Sequence, residues 1–259
     1  MDEESKPFFD RGQYKTFLEH LDDLRGTLLK MSAALVVGMV LAFVFAEQLV
    51  AVYLWPLSKV EGIEDPREFL LNLGVIDPLS MILKLSFYGG MVLAAPFILY
   101  FLGEFLLPAL TKKERTYVLP GVGAGFLLFL AGVSFAYFWL LPITLEFFSA
   151  LSTKLGFVSR WSMIEYFSFV SNFLLAFGLS FQLPIVILVL NRLGVLPARL
   201  LRQGRRYAFL IIVVLSAMIT PTSDAFTLMA MSIPLYVLYE ISVWVALWRE
   251  RKLRGVEQE

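Results

Sequence analysis

The chain contains no cysteine and a single histidine among its 259 residues. The absence of cysteine removes disulfides, thiolate nucleophiles and thiolate metal sites together, and one histidine leaves no multi-histidine metal centre. Charge is sparse and balanced: 22 Lys and Arg offset 22 Asp and Glu, for a formal net charge of zero and 17% charged residues. Such a chain has no general attraction for nucleic acid. No glycine-rich phosphate loop, HExxH helix, Gly-Asp pair or Ser/His dyad occurs within an apolar run. That argues against an ATPase or membrane protease and predicts no enzyme activity, no catalytic residue, no metal and no cofactor. No internal repeat is visible, which weakens an inverted-repeat transporter. The first 15 residues are polar and charged, without the apolar core of a cleavable signal peptide, so the first apolar stretch is expected to be retained.

What fills the chain instead is hydrocarbon. Hydrophobic residues make up 58%, with 24 Phe, and mean hydropathy is +0.74. Charge-free runs cover residues 31–46, 85–103, 116–145, 166–191, 207–223 and 225–239. Most approach or exceed the ~20 residues that a helix needs to cross a bilayer, and the last two are short. The turn Thr220-Pro221-Thr222-Ser223-Asp224 between them has the residues of a chain reversal. The expectation is a single all-α domain over residues 1–259, an integral membrane protein with six transmembrane helices. A short amphipathic helix at about 16–27 should lie at the interface, followed by spans at about 28–54, 79–103, 116–141, 163–190, 207–220 and 225–248. With six spans, 17 of the 22 basic residues fall on one side, against Lys59, Arg67, Lys154 and Arg160 opposite and Lys84 just inside a span. The positive-inside rule then predicts a multi-pass protein with both termini in the cytoplasm. Pro56, Pro78, Pro96, Pro142, Pro184 and Pro234 recur at or inside the spans. Bent helices suit a cupped wall better than a tight bundle.

Polar residues gather at a few points. In Phe17-Leu18-Glu19-His20-Leu21-Asp22-Asp23-Leu24-Arg25 the apolar positions recur at helical spacing, and the other face carries Glu19, Asp22 and Asp23, with His20 one turn from Asp23. That face is either a solvated helix start, its acids near the positive end of the dipole, or a surface that receives a cationic ligand. In the loop after the second span, Pro108 ends the helix, and Thr111 precedes Glu114 at capping-box spacing. Glu114 is therefore a cap partner or a carboxylate open to a guanidinium. Within the spans stand Gln182 before Pro184, Asn172, Glu165 and Glu240. For Gln182 an interhelical hydrogen bond and a functional role weigh equally, and Glu240 lies close enough to the basic tail to snorkel.

Taken in order, these stretches resemble a known family. The run from Phe17 to Arg25, the loop Phe105-Leu106-Leu107-Pro108-Ala109-Leu110 with Glu114-Arg115, Phe135-Ala136-Tyr137-Phe138 with Pro142, the segment Ala176-Phe177-Gly178-Leu179-Ser180-Phe181-Gln182-Leu183-Pro184, and Thr220-Pro221 with Asp224 and Ile233-Pro234 together resemble TatC. TatC is the multispanning subunit of the twin-arginine protein translocase. The resemblance covers about residues 17–248, and the order and spacing of the motifs make it specific.

The resemblance implies a receptor in the plasma (inner) membrane. It would bind twin-arginine signal peptides at the cytoplasmic face and export folded proteins with single-span TatA and TatB type partners, driven by the proton-motive force. It also implies a cupped, glove-like wall of six helices and a larger complex containing further copies of the chain. Carried over by position, Asp23 falls where the family usually has Glu, and Glu114 falls on the acid of the first cytoplasmic loop. These two carboxylates are expected to hold the twin arginines in bidentate pairs. Asp is one methylene shorter than Glu, so Glu19 or Asp22 is available to help. His20 belongs to the same pattern, Arg25 is expected to organise the acids, and Phe105 with Pro108 to shape the floor. Gln182 stands where many members carry a buried Glu, and Thr220, Pro221 and Asp224 correspond to the region where partner spans dock. The competing reading is a small-solute secondary transporter in which Gln182, Asn172 and Glu240 line a path.

Overall fold

Two glycines, rather than large apolar residues, set the first helix pair. The computed structural model of the protein describes residues 17–106, 118–192, 196–219 and 225–256. In it α1 (Phe17–Val44) packs along the length of α4 (Asp77–Leu106). A Cβ on Gly38 would stand 2.6 Å from the Gly90 carbonyl oxygen, and one on Gly89 would meet the Ala42 methyl at 3.3 Å. Small residues let two backbones approach, which is how helices associate where no hydrophobic force acts between them. The rest of α1 is largely exposed, with Val36, Val37, Val40, Leu41 and Phe43 facing outward.

The amphipathic stretch expected as a separate interfacial helix is instead the opening of α1, continuous with the first span. Only Gly26 weakens that stretch, by about 1 kcal/mol, and no proline follows until Pro56. The span breaks later, at Phe45, where φ −98° and ψ 25° separate α1 from α2 (Ala46–Leu54). A short helical turn, α3 (Pro66–Phe69), starts on the Asp65 side chain, which accepts from the Arg67 amide at 2.8 Å. Next come α5 (Val118–Phe135), a π-helical turn Ala136–Leu140 and α6 (Leu141–Lys154), which begins at Pro142. The fourth apolar run remains one candidate span, Met163–Asn191, with a break inside it between α7 (Met163–Ser180) and α8 (Leu183–Arg192). Pro184 cannot donate to the ladder, so the chain turns at Phe181 and Gln182 before restarting. Then α9 (Ala198–Gln203), α10 (Arg205–Ile219) and α11 (Ala225–Val256) complete the order, with Pro96 inside α4 and Pro234 inside α11.

Among the described residues five helical stretches are long and apolar enough to cross a membrane. The 15 residues of α10 are shorter; at 1.5 Å per residue they reach about 22 Å against the ~30 Å of a hydrocarbon core. The end of the bundle where α1 begins and α4 stops is the proximal end, and the opposite end is the distal one.

Two apolar clusters hold the wall. The distal one centres on Leu57, Leu85, Leu141, Leu145, Phe173 and Phe177. The proximal one ties α8 and α9 to α10 and α11 through Ile187, Leu201, Ile212, Leu235 and Val243. A cap crosses the distal end, where β1 (Leu70–Leu71) pairs in parallel with β2 (Trp161–Ser162). Arg160 donates to the Glu68 carbonyl at 2.5 Å, and Trp161 meets Phe69 edge-on at 5.1 Å.

Candidate functional site

The proximal end brings together the start of α1 and the end of α4. Because Cβ atoms tilt toward each helix's own N-terminus, antiparallel neighbours lean toward one another. Lys30 on α1 accordingly reaches Glu104 on α4 at 3.4 Å, and its ammonium stands 5.7 Å from the Phe101 ring. Both charged side chains are about half exposed. Asp23 lies two turns further toward the start of α1, about 10 Å beyond Lys30, alongside the point where the chain leaves α4 at Leu106. Asp23 is half-buried, Asp22 and Arg25 are exposed, and Phe105 is half-buried on the last turn of α4. Glu19 and His20 belong to the first turn of α1. Glu114 and Pro108 lie outside the described residues, as do Thr220, Pro221 and Asp224.

Gln182 and Glu240 are engaged within the chain. Gln182, at the turn between α7 and α8, donates its amide to the Gly125 carbonyl of α5 at 3.0 Å. Its side-chain oxygen would stand 3.3 Å from a Cβ at Gly125. The interhelical hydrogen bond is the role the geometry supports for Gln182. The Glu240 carboxylate pairs with Arg205 at 2.8 Å and accepts from the Tyr236 hydroxyl at 3.0 Å. No local sequence pattern marks Arg205, which the packing of α10 against α11 sets opposite Glu240. The same register brings Phe209 against Tyr236, ring centres 5.7 Å apart.

A second proximal cluster carried no sequence signal. Glu250 accepts from the Ala198 amide at 2.7 Å and from the Asn191 side chain at 3.0 Å, while Arg249 donates to Asn191 at 3.2 Å. Glu250 thus satisfies the first free amide of α9 from 52 residues away. At the opposite end a hollow of about 520 Å³ opens beneath the cap, lined by Glu61, Glu64, Asp65, Glu68 and Arg160. It is remote from Asp23. Among the described residues no group of His, Asp and Glu could hold a metal ion.

Comparison with known proteins agrees with this architecture. The sequence profile of TatC, described as Sec-independent protein translocase protein, matches residues 19–234. The chain is 44% identical over 170 residues to a Sec-independent protein translocase protein TatC of Akkermansia muciniphila, covering 66% of this chain and 49% of that relative. It is 33% identical over 244 residues to the TatC of Halalkalibacterium halodurans, covering 94% of this chain and 93% of the relative. A crystal structure of a twin-arginine translocase receptor, TatC, in the detergent DDM superposes with a TM-score of 0.77 at 35% identity, over 88% of this chain and 99% of that one. The fold is therefore the cupped, six-spanning TatC wall, five long spans and the short α10, of a multi-pass membrane protein. By profile, sequence and structure alike, this chain belongs to the TatC family.

Proposed function

We propose that the chain is the receptor and core subunit of a twin-arginine protein translocase. It binds twin-arginine signal peptides at the cytoplasmic face and exports folded proteins with TatA and TatB type single-span subunits, using the proton-motive force and no catalytic chemistry of its own. The observation that carries this reading is the α1–α4 packing, which brings Asp23 level with Leu106, where α4 ends. Two neighbouring guanidiniums need two planar carboxylates: Asp23 supplies one from α1, and Glu114, eight residues along the chain from Leu106 and outside the described residues, is the second in this proposal.

Orientation follows from charge. Arg25, Lys30, Arg199, Arg202, Arg205, Arg206 and Arg249 all belong to the proximal parts of their helices. That concentration supports a cytoplasmic proximal end and, with six spans, both termini on that side of the plasma membrane. The transporter alternative loses support for a specific reason. Gln182, Asn172 and Glu240, which would line its path, are bonded to Gly125, Tyr88 and Arg205 respectively.

The test is direct binding to the full chain in lipid nanodiscs. A labelled signal peptide with two arginines should bind saturably, and its two-lysine counterpart about tenfold more weakly, as loss of roughly 1.4 kcal/mol requires. Equal binding of the two peptides would refute the receptor reading.

A further inference from the structure

Helices α4 and α7 run side by side in the same direction, and two cross-links one turn apart join them on an outward face. The Lys84 ammonium donates to the Ser168 hydroxyl oxygen at 2.9 Å, and the Tyr88 hydroxyl donates to the Asn172 side-chain oxygen at 2.5 Å. The Ser168 hydroxyl in turn donates to the Ile164 carbonyl at 2.6 Å. These bonds leave the donors of Lys84 and Asn172 largely unspent. Lys84 retains two N–H groups and a full charge, and the Asn172 amide retains both of its N–H groups. Lys84 and Asn172 are exposed, and no carboxylate among the described residues pairs with Lys84.

Depth decides what such a face can meet. The charge-free run 85–103, bounded by Lys84 and Glu104, spans about 28 Å as a helix, close to the ~30 Å hydrocarbon core. Lys84 therefore stands at the distal boundary of the hydrocarbon, and Tyr88 with Asn172 about 6 Å inside it. A lipid phosphate at the boundary would satisfy Lys84 and leave the Asn172 amide facing hydrocarbon. Lipid tails offer no acceptor at that level, so a protein side chain must supply one. The acceptor that suits a cation and an amide together is a carboxylate, and at that depth the backbone carrying it is a helix. Glu165, exposed three residues before Ser168 at the rim of the same face, repels a second acid placed too shallow. Complementarity therefore favours a carboxylate level with Asn172.

We infer that the α4–α7 face around Lys84 and Asn172 is a docking site for a partner transmembrane helix that carries a carboxylate in the distal third of its span. This rests on the reading that the chain works with single-span partners.

The test coexpresses the full chain with a designed single-span helix of Leu and Ala. A tri-lysine flank on its cytoplasmic end fixes the orientation of that helix. Three versions carry Glu in the distal third, Leu at that position, or Glu in the proximal third. The chain has no cysteine, so Met91→Cys, one turn deeper than Tyr88 on α4, reports proximity by thiol cross-linking to a single cysteine on the designed helix. The distal-Glu helix should cross-link about tenfold more than the other two. That excess should vanish in Lys84→Met and in Asn172→Leu and persist in Lys84→Arg. Equal yields for Glu and Leu, an excess that survives Lys84→Met and Asn172→Leu, or an equal gain from proximal Glu each overturns the site. So does a photo-cross-linker at Lys84 that captures only lipid. Binding of a twin-arginine peptide to the same membranes separates the two claims. If it persists while the cross-link fails, the docking site alone is wrong; if it fails as well, so does the receptor reading.

Discussion

Gly38 and Gly90 face each other so closely that a Cβ on Gly90 would stand 2.6 Å from the Met39 amide nitrogen and 2.9 Å from the Gly38 carbonyl carbon. Both obstacles are backbone, which cannot swing aside as a side chain does. Gly38→Ala or Gly90→Ala must therefore push α1 away from α4 and with it the Asp23 end of the candidate site. Each should destabilise the protein by about 1–3 kcal/mol, the range for overpacking, read as an earlier thermal unfolding transition in detergent. Gly26 is the internal control. It lies in the same helix with nothing within 4 Å of its would-be Cβ, and Gly26→Ala should be neutral or stabilising by up to about 1 kcal/mol.

The α10–α11 hairpin is held at its proximal end by charge. Arg205 and Glu240 are 2.8 Å apart with side-chain exposures of 40% and 25%, so solvent screens the pair and its coupling should be about 1 kcal/mol. A double-mutant cycle of Arg205→Met and Glu240→Gln, followed by thermal unfolding, measures it. Strictly additive effects would mean that the contact contributes nothing.

Glu250 caps α9 across a long stretch of sequence, accepting from the Ala198 amide. In Glu250→Ala the amide loses its acceptor, a change worth about 1–2 kcal/mol by analogy with local caps. Hydrogen exchange at residues 198–201 should accelerate while exchange in α4 stays unchanged. Uniform acceleration throughout would instead indicate global destabilisation.

How much of this was legible in the sequence depends on the range of the interaction. The apolar runs mark the spans because a hydrocarbon core sets their length. Continuity of α1 through residues 17–28 was masked by reading amphipathicity as a boundary, when only a helix breaker makes one. The Gly38–Gly90 contact, the Gln182 bond to Gly125 and the pairing of Leu70 with Trp161 join segments tens of residues apart. No local pattern encodes such partners. Asp23 stood out by its place in the pattern that resembles TatC, among the acids Glu19 and Asp22 on one helix start, and Glu250 did not because its partners, the Ala198 amide and Asn191, are 52 and 59 residues away.

Orientation is testable without background, since any cysteine introduced into this chain is the sole thiol. A cysteine replacing Glu64, in the distal cap, should react with a membrane-impermeant maleimide added to intact cells. One added after Glu259 should react only after lysis. The reverse pattern would place the proximal end outside and remove the cytoplasmic receptor reading with it.

Asp23 and Glu114 decide the receptor reading at the level of single residues. Asp23 is held on α1 beside the exit of α4, and Glu114 lies in the segment that follows. Glu114→Gln keeps shape and removes charge, so binding of a twin-arginine signal peptide should weaken by roughly 1.5–3 kcal/mol, the range for a hydrogen bond to a charged group. Asp23→Asn should act in the same direction and by less, because the shorter side chain has Asp22 and Glu19 as neighbours on its helix. The discriminating measurement uses a two-lysine peptide. Lysine presents a point charge and cannot form the bidentate pair, so its already weak binding should change much less on Glu114→Gln than binding of the two-arginine peptide does. If the two-arginine signal binds both variants as tightly as the parent chain, Glu114 is only a helix cap, Asp23 belongs to a solvated face, and the guanidiniums are held elsewhere.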